Sequence, residues 1–162
     1  MPFYMEVTGL DELVAKMQKL PDKGADVAAL ALYEGAAIVA DAVSSAVQGI
    51  ATEPFKYPVK NGRTRLPSPE EKALVMSARK GVAKFNKNHS RVDTSVGMQN
   101  AGYGTINGKT KPIPQIANAI NSGTSFMKPQ PFFRKAVETS AGAAAGAIEG
   151  GIMSRLDMLS LD

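Results

Sequence analysis

Pro54, Pro58, Pro67 and Pro69 fall within sixteen residues, and this cluster constrains the chain more than any other feature. Each proline fixes φ and removes a backbone donor, so no long helix or central strand can run through the segment. Whatever is regular must lie on either side of it. On the N-terminal side, from Pro21 to Ile50, the residues Leu32, Ala36, Val39, Val43, Val47 and Ile50 form one apolar stripe at helical spacing. Glu34, Asp41, Ser45 and Gln48 mark the opposite side, so this stretch predicts a long core helix.

The remaining pattern alternates short strands and helices. Phe3 to Thr8 alternates as a strand does, and Leu10, Leu13, Met17 and Leu20 follow at helical spacing, with Leu20-Pro21 separating that short helix from the long one. Asn61-Gly62 predicts a hairpin turn. Ser68-Pro69-Glu70-Glu71 combines a capping box with proline at the first helical position, which opens a helix expected to reach Phe85. Strands are expected at Arg91 to Gln99 and Tyr103 to Ile106, with Asn107-Gly108 as a second turn and one or two helical turns between Ile113 and Asn121. Gln130-Pro131 opens a last long helix through Phe133, Val137, Ala144, Ile148, Ile152 and Leu159. The fold class is α+β: a small antiparallel sheet with two long helices packed on one side, plus a shorter basic helix in an inserted segment, 52–92. At 162 residues, 44% hydrophobic and 21% charged, a single domain spanning 1–162 is expected.

Glycines 142, 146 and 150 recur every four residues in the last helix. Each costs about 0.8–1 kcal/mol relative to alanine, so close packing against the small-residue-rich long helix (Gly35, Ala36, Ala40, Ala42, Ala46) is the expected use.

Several chemistries are closed to this composition. With no cysteine there is no disulfide framework, thiolate nucleophile or Cys-ligated zinc. His89 is the only histidine and sits in a polar run, Asn86 to Ser90, so a surface role outweighs a catalytic one. Gly108-Lys109-Thr110 ends like a phosphate loop, but Tyr103 stands where the first glycine is required and a hairpin turn is favoured. Glu70 and Glu71 suit a helix N-terminus better than a catalytic pair, and Asp22 with Asp26 read as a solvated face. No catalytic, cofactor-binding or metal residues are assigned. The N-terminus has neither a basic n-region nor an apolar h-region, and the apolar stretches at 27–47 and 141–153 carry acids and small residues, so neither a signal peptide nor a membrane span is expected.

Charge is segregated. Between Lys56 and Arg91 ten basic residues face only Glu70 and Glu71, a net of +8 in a protein of +4, and the first fifty residues are acidic. On a helical wheel Lys72, Arg79, Lys80, Lys84 and Lys87 share one side, while Leu74, Ala78, Val82 and Phe85 share the other. That reads as an amphipathic basic helix facing solvent, an acidic partner or DNA phosphates.

Two stretches resemble the head–tail joining, or tail-completion, family of tailed bacteriophages with lambda-like morphology. One is Val7-Thr8-Gly9-Leu10-Asp11-Glu12-Leu13, a strand-to-helix opening before a long alanine-rich helix. The other runs from Ile116-Ala117 and Ile120 through Gly123-Thr124 to Lys128-Pro129-Gln130-Pro131-Phe132-Phe133-Arg134-Lys135-Ala136, similar to the family's glycine-threonine loop and proline-phenylalanine entry to the last helix. Pro58 to Arg63 is a weaker echo, with Asn61 for threonine, and Asn121 stands where a glutamate is common. The order and spacing of these matches carry the resemblance.

The resemblance implies a non-enzymatic virion protein of the phage neck, a tail-completion subunit or the tail terminator beside it. It would form a homo-oligomeric ring around the DNA channel between portal and tail tube, after assembly in the host cytoplasm. Expected partners are further copies of itself, neighbouring neck and tail proteins, and genomic DNA by non-specific contact, without membrane or cofactor. Interface or channel candidates are Lys60, Arg63, Arg65, Lys72, Arg79, Lys80, Lys84 and Lys87. The partner-contact loop holds Thr124, Phe126, Phe132 and Phe133, of which one of the last two is expected in the core and the other free. The alternative is a small basic DNA-binding or packaging accessory protein, for which the +8 segment argues.

Overall fold

The computed structural model describes residues 23–53, 64–78, 81–82, 86–88, 91–94, 96–98 and 101–160. The expected N-terminal strand and helix, the Asn61-Gly62 turn and His89 lie outside them. The protein is α+β. Helix α1 spans Gly24–Gln48 and α2 spans Pro69–Ser77; strands β1 (Gly81–Val82), β2 (Asn86–Asn88), β3 (Arg91–Asp93), β4 (Val96–Gly97), β5 (Tyr103–Ile106) and β6 (Lys109–Pro112) follow; α3 (Ile113–Ser122) and α4 (Phe132–Ser160) complete the order. The strands form two-stranded ladders, β1 with β4, β2 with β3 and β5 with β6. Two compact units emerge, one from the described residues of 41–81 and 98–139, the other from those up to Ala40 with those of 82–97 and from Ser140 onward.

In the second unit the first half of α1 lies on the second half of α4. Val27, Ala31, Ile148 and Ile152 form a buried cluster, extended by Leu32, Leu156 and Leu159. The backbones approach closely at Gly35, where an added Cβ would stand 2.5 Å from Ile148 Cγ1 and 3.0 Å from the Ala144 carbonyl. Arg155 crosses from α4 to Glu34 with an Nη2–Oε1 distance of 2.6 Å. Helix α1 is long and apolar enough to cross a membrane by length and composition, but this stripe of it is occupied by α4.

The glycine strip of α4 is a correction. Gly142, Gly146 and Gly150 have open space where a Cβ would be built, so the expected close approach does not use them. Spacing alone identified a strip, but the apolar residues Ile148 and Ile152 set which side of α4 turns inward. The small residues that permit the approach are Gly35 and, beside Ala31, Gly151.

In the first unit α2, α3 and the β5–β6 hairpin pack together. The hairpin closes through Asn107 (φ 51°) and Gly108 (φ 73°), the positive-φ pair that a two-residue turn requires. Gly104 is needed on β5 because Leu74 of α2 lies directly over it. Helix α3 buries Ile113, Ile116, Ala117 and Ile120 at the 3–4 spacing of one helical face.

Helix α2 begins as the sequence requires. Ser68 accepts from the Glu71 amide and Glu71 accepts from the Ser68 amide, with Pro69 in the first turn. It ends eight residues before Phe85, at Ser77, so the expected amphipathic basic helix is corrected. The Ser77 hydroxyl and the Ala78 amide both donate to the Leu74 carbonyl, and Ala78 turns extended (φ −67°, ψ 128°). Gly81 and Val82 then pair with β4. Glycine is a poor helix former and valine favours strand, and the ladder supplies the hydrogen bonds that a longer helix would have made. Lys72 is the only basic residue left on that helix.

Candidate functional site

The segment expected to meet partners, from Gly123 to Phe133, is held as a rigid loop between α3 and α4. Gly123 ends α3 at φ 75° and donates to the Ala119 carbonyl, and an added Cβ there would stand 2.9 Å from Pro129. Thr124 organises the turn: its hydroxyl accepts from the amides of Phe126 (3.2 Å) and Met127 (3.0 Å). Its own amide donates to the Met127 carbonyl at 2.9 Å.

Arg65 ties this loop to the chain before α2. Its amide donates to the Phe126 carbonyl (2.8 Å) and its carbonyl accepts from Lys128 (2.9 Å), a parallel bridge opposite Met127. The Arg65 guanidinium makes two 2.7 Å bonds to the Glu71 carboxylate, which is fixed in turn by the capping box. Burial pushes the Glu71 carboxyl up, but the Arg65 bonds, the Ser68 amide and the nearby charges of Arg65 and Lys111 outweigh it and leave Glu71 below the usual carboxylate range. The pair is therefore ionised at neutral pH and locks the loop electrostatically.

The exit from the loop is equally tied. Gln130 donates its amide to the Ile120 carbonyl, and its side chain both accepts from and donates to Ala51. Asn121 accepts from the Phe133 amide at 3.1 Å and so caps the start of α4. Asparagine thus performs a capping task at the position where the resembled family commonly has glutamate.

Within this frame the aromatic residues are placed unlike the expectation. Phe132 and Phe133 are both buried, edge to face with ring centroids 6.4 Å apart. Neither is free for a partner. Both rings turn inward on the first turn of α4, whose start Asn121 caps. Within the loop the exposed aromatic is Phe126, at 74% of its surface, next to the buried Met127.

The basic candidates divide. Arg65 is committed to Glu71 and to the Leu66 carbonyl. Lys72 donates to the carbonyls of Gln48 (2.7 Å) and Ile50 (2.9 Å), closing the C-terminal end of α1. Both make internal ties, each to acceptors in its own unit. Lys87 lies on β2, and Lys60, Arg63, Arg79, Lys80 and Lys84 lie outside the described residues. Leu30 (52%) and Tyr33 (51%), exposed on α1, escaped the sequence reading. The available signal was their phase, which departs from the Ala36 to Val47 stripe.

Among the described residues no group of three or more His, Asp or Glu side chains is gathered to hold a metal. Comparison with protein-family models, curated proteins and solved structures finds no match.

Proposed function

We propose that this protein is a structural subunit of the phage neck, a head–tail connector or tail-completion protein that forms a ring around the DNA channel and performs no catalysis. The observation that carries the reading is the Gly123 to Phe133 loop. The segment that resembles the family's loop is held by Thr124, Arg65, Gln130 and Asn121, and it presents Phe126 to solvent on a fixed backbone. A stiff, exposed aromatic is what an assembly protein needs, because the entropy of ordering the contact is met during folding rather than during docking.

The test is imaging of assembled phage particles carrying a label on this subunit. Density between portal and tail tube supports the proposal; a label absent from the virion overturns it. The +8 segment favours the second reading, a DNA-binding or packaging accessory protein. Tight DNA binding by the isolated protein that weakens steeply with salt, together with absence from particles, would select that reading instead.

A further inference from the structure

Once the ion pairs of the first unit are matched, positive charge is left over on and beside the β5–β6 hairpin. From Thr94 to Val137 there are five basic residues, Lys109, Lys111, Lys128, Arg134 and Lys135, and no aspartate or glutamate. Arg134 is held by Glu138, just past that stretch. The side chains of Lys109, Lys111 and Lys128 are exposed and, among the described residues, make no hydrogen bond or ion pair. Lys111 lies near enough to Glu71 to help lower its carboxyl, but that carboxylate already holds the two bonds from Arg65, whose carbonyl accepts from the Lys128 amide. The Arg65–Glu71 pair cancels itself and leaves Lys111 and Lys128 as net charge beside it.

The hairpin is a stiff carrier for that charge. Among the described residues β6 pairs with β5 alone, so its outer edge is open, and Lys109, Thr110 and Lys111 along it are all exposed. The ribbon is closed by the Asn107-Gly108 turn, crossed by a 3.1 Å bond between the Thr105 and Thr110 hydroxyls and packed at Gly104 under Leu74. Its register sets Lys111 opposite Gly104 and Lys109 opposite Ile106 on one side, with Tyr103, Thr105, Thr110 and Pro112 on the other. Two strand residues apart on the same side, the lysines stand roughly 7 Å from each other along the backbone, on the order of the separation between neighbouring phosphates of a DNA strand.

We propose that β6 lies along the phosphate backbone of duplex DNA, with Lys109 and Lys111 on neighbouring phosphates and Lys128 extending the contact from the adjoining loop. The lysine of Gly108-Lys109-Thr110, which lacks the spacing of a nucleotide loop, thereby meets phosphate in another way. The chemistry selects among polyanions. A single strand is bound by stacking its bases on aromatic side chains beside the cations, and Tyr103, the exposed aromatic of the ribbon, is on the side away from both lysines. A protein partner requires a desolvated apolar centre, whereas the edge of β6 offers Lys-Thr-Lys. Contacts to phosphates position a protein on DNA without reading its sequence. In taking DNA as what the protein meets, the inference rests on the neck reading, and it moves the contact from the Lys56 to Arg91 segment to the ribbon.

Fluorescence anisotropy of the full chain with a short labelled duplex of mixed sequence, between about 50 and 200 mM salt, reads the contact. Each lysine on a phosphate contributes about one to the slope of log K against log salt, so Lys109→Gln/Lys111→Gln should lower that slope by about two and weaken binding roughly tenfold or more at about 0.1 M salt. The melting temperature should not change, because both side chains are exposed and untied. Lys80→Gln/Lys84→Gln removes the same charge from the basic segment and should weaken binding by less than about threefold, the effect of screened charge at a distance. No binding of the duplex by the native chain, an unchanged slope in the ribbon variant, or an equal loss in Lys80→Gln/Lys84→Gln overturns the proposal. Tighter binding of the labelled single strand also overturns it, as does competition by poly-glutamate equal, charge for charge, to that of unlabelled duplex, which would select an acidic protein instead. Particles labelled at the neck, with DNA binding untouched in the ribbon variant, would sink the ribbon alone. Duplex binding lost in that variant, with the protein absent from virions, would sink the neck reading and leave the ribbon standing.

Discussion

Substituting Gly35 by alanine tests the closest helix contact directly. On an isolated helix the change should help, since glycine costs about 1 kcal/mol relative to alanine. In this fold the new methyl group would stand 2.5 Å from Ile148 Cγ1, 2.7 Å from its Cδ1 and 3.0 Å from the Ala144 carbonyl. Ile148 is branched at Cβ and 1% exposed, so it has no solvent to turn into. The carbonyl belongs to the α4 backbone and moves only with the helix. Overpacking of this kind costs about 1–3 kcal/mol, which exceeds or cancels the propensity gain. A net loss of about 2 kcal/mol, the upper end, corresponds to a fall in Tm of roughly 4–8 °C for a chain of this size. Thermal unfolding followed by circular dichroism reads it. Ile148→Val, which removes the Cδ1 methyl, should cost about 0.5–1.5 kcal/mol in the native background and less in Gly35→Ala. A Tm raised by Gly35→Ala, or strict additivity of the pair, would refute the close approach.

Other outcomes follow from the same contacts. Gly146→Ala should raise Tm, by up to about 1 kcal/mol of stability, because open space surrounds that position; a fall would place it against a neighbour. Phe132→Ala and Phe133→Ala should each destabilise by about 3–5 kcal/mol, whereas Phe126→Ala should leave Tm within about 0.5 kcal/mol of the native value; denaturant titration separates the three. Arg65→Ala should cost about 2–3 kcal/mol by leaving the largely buried Glu71 carboxylate without its bidentate partner, and equal stability of the variant would show the pair to be idle. Because the folded Glu71 pKa lies below its unfolded value of about 4.3, its contribution is complete above the unfolded pKa and disappears as pH falls through the folded one. Acid unfolding of Arg65→Ala should accordingly show a shallower loss of stability below about pH 4 than the native chain.

Local rules were sufficient wherever a single residue type had one physical use. Ser68-Pro69-Glu70-Glu71 specified a helix start because only that spacing satisfies two orphan amides reciprocally. Asn107-Gly108 specified a hairpin because both positions need positive φ. The long stripe of α1 and the α+β class were legible for the same reason: periodicity reports which side of an element is buried. Tertiary structure decided what periodicity leaves degenerate. Whether α2 continued past Ser77 depended on β4, a partner elsewhere in the chain. Whether the glycine strip faced a helix or solvent depended on Ile148 and Ile152 turning α4 the other way. Which phenylalanine stood exposed depended on Asn121 and Arg65, whose hydrogen bonds set the loop, and the tie that holds Lys72 depended on the carbonyls at the end of α1. Those acceptors and neighbours are distant in sequence, so their pairing is fixed only when the chain is folded, and a pattern read residue by residue carries no record of it.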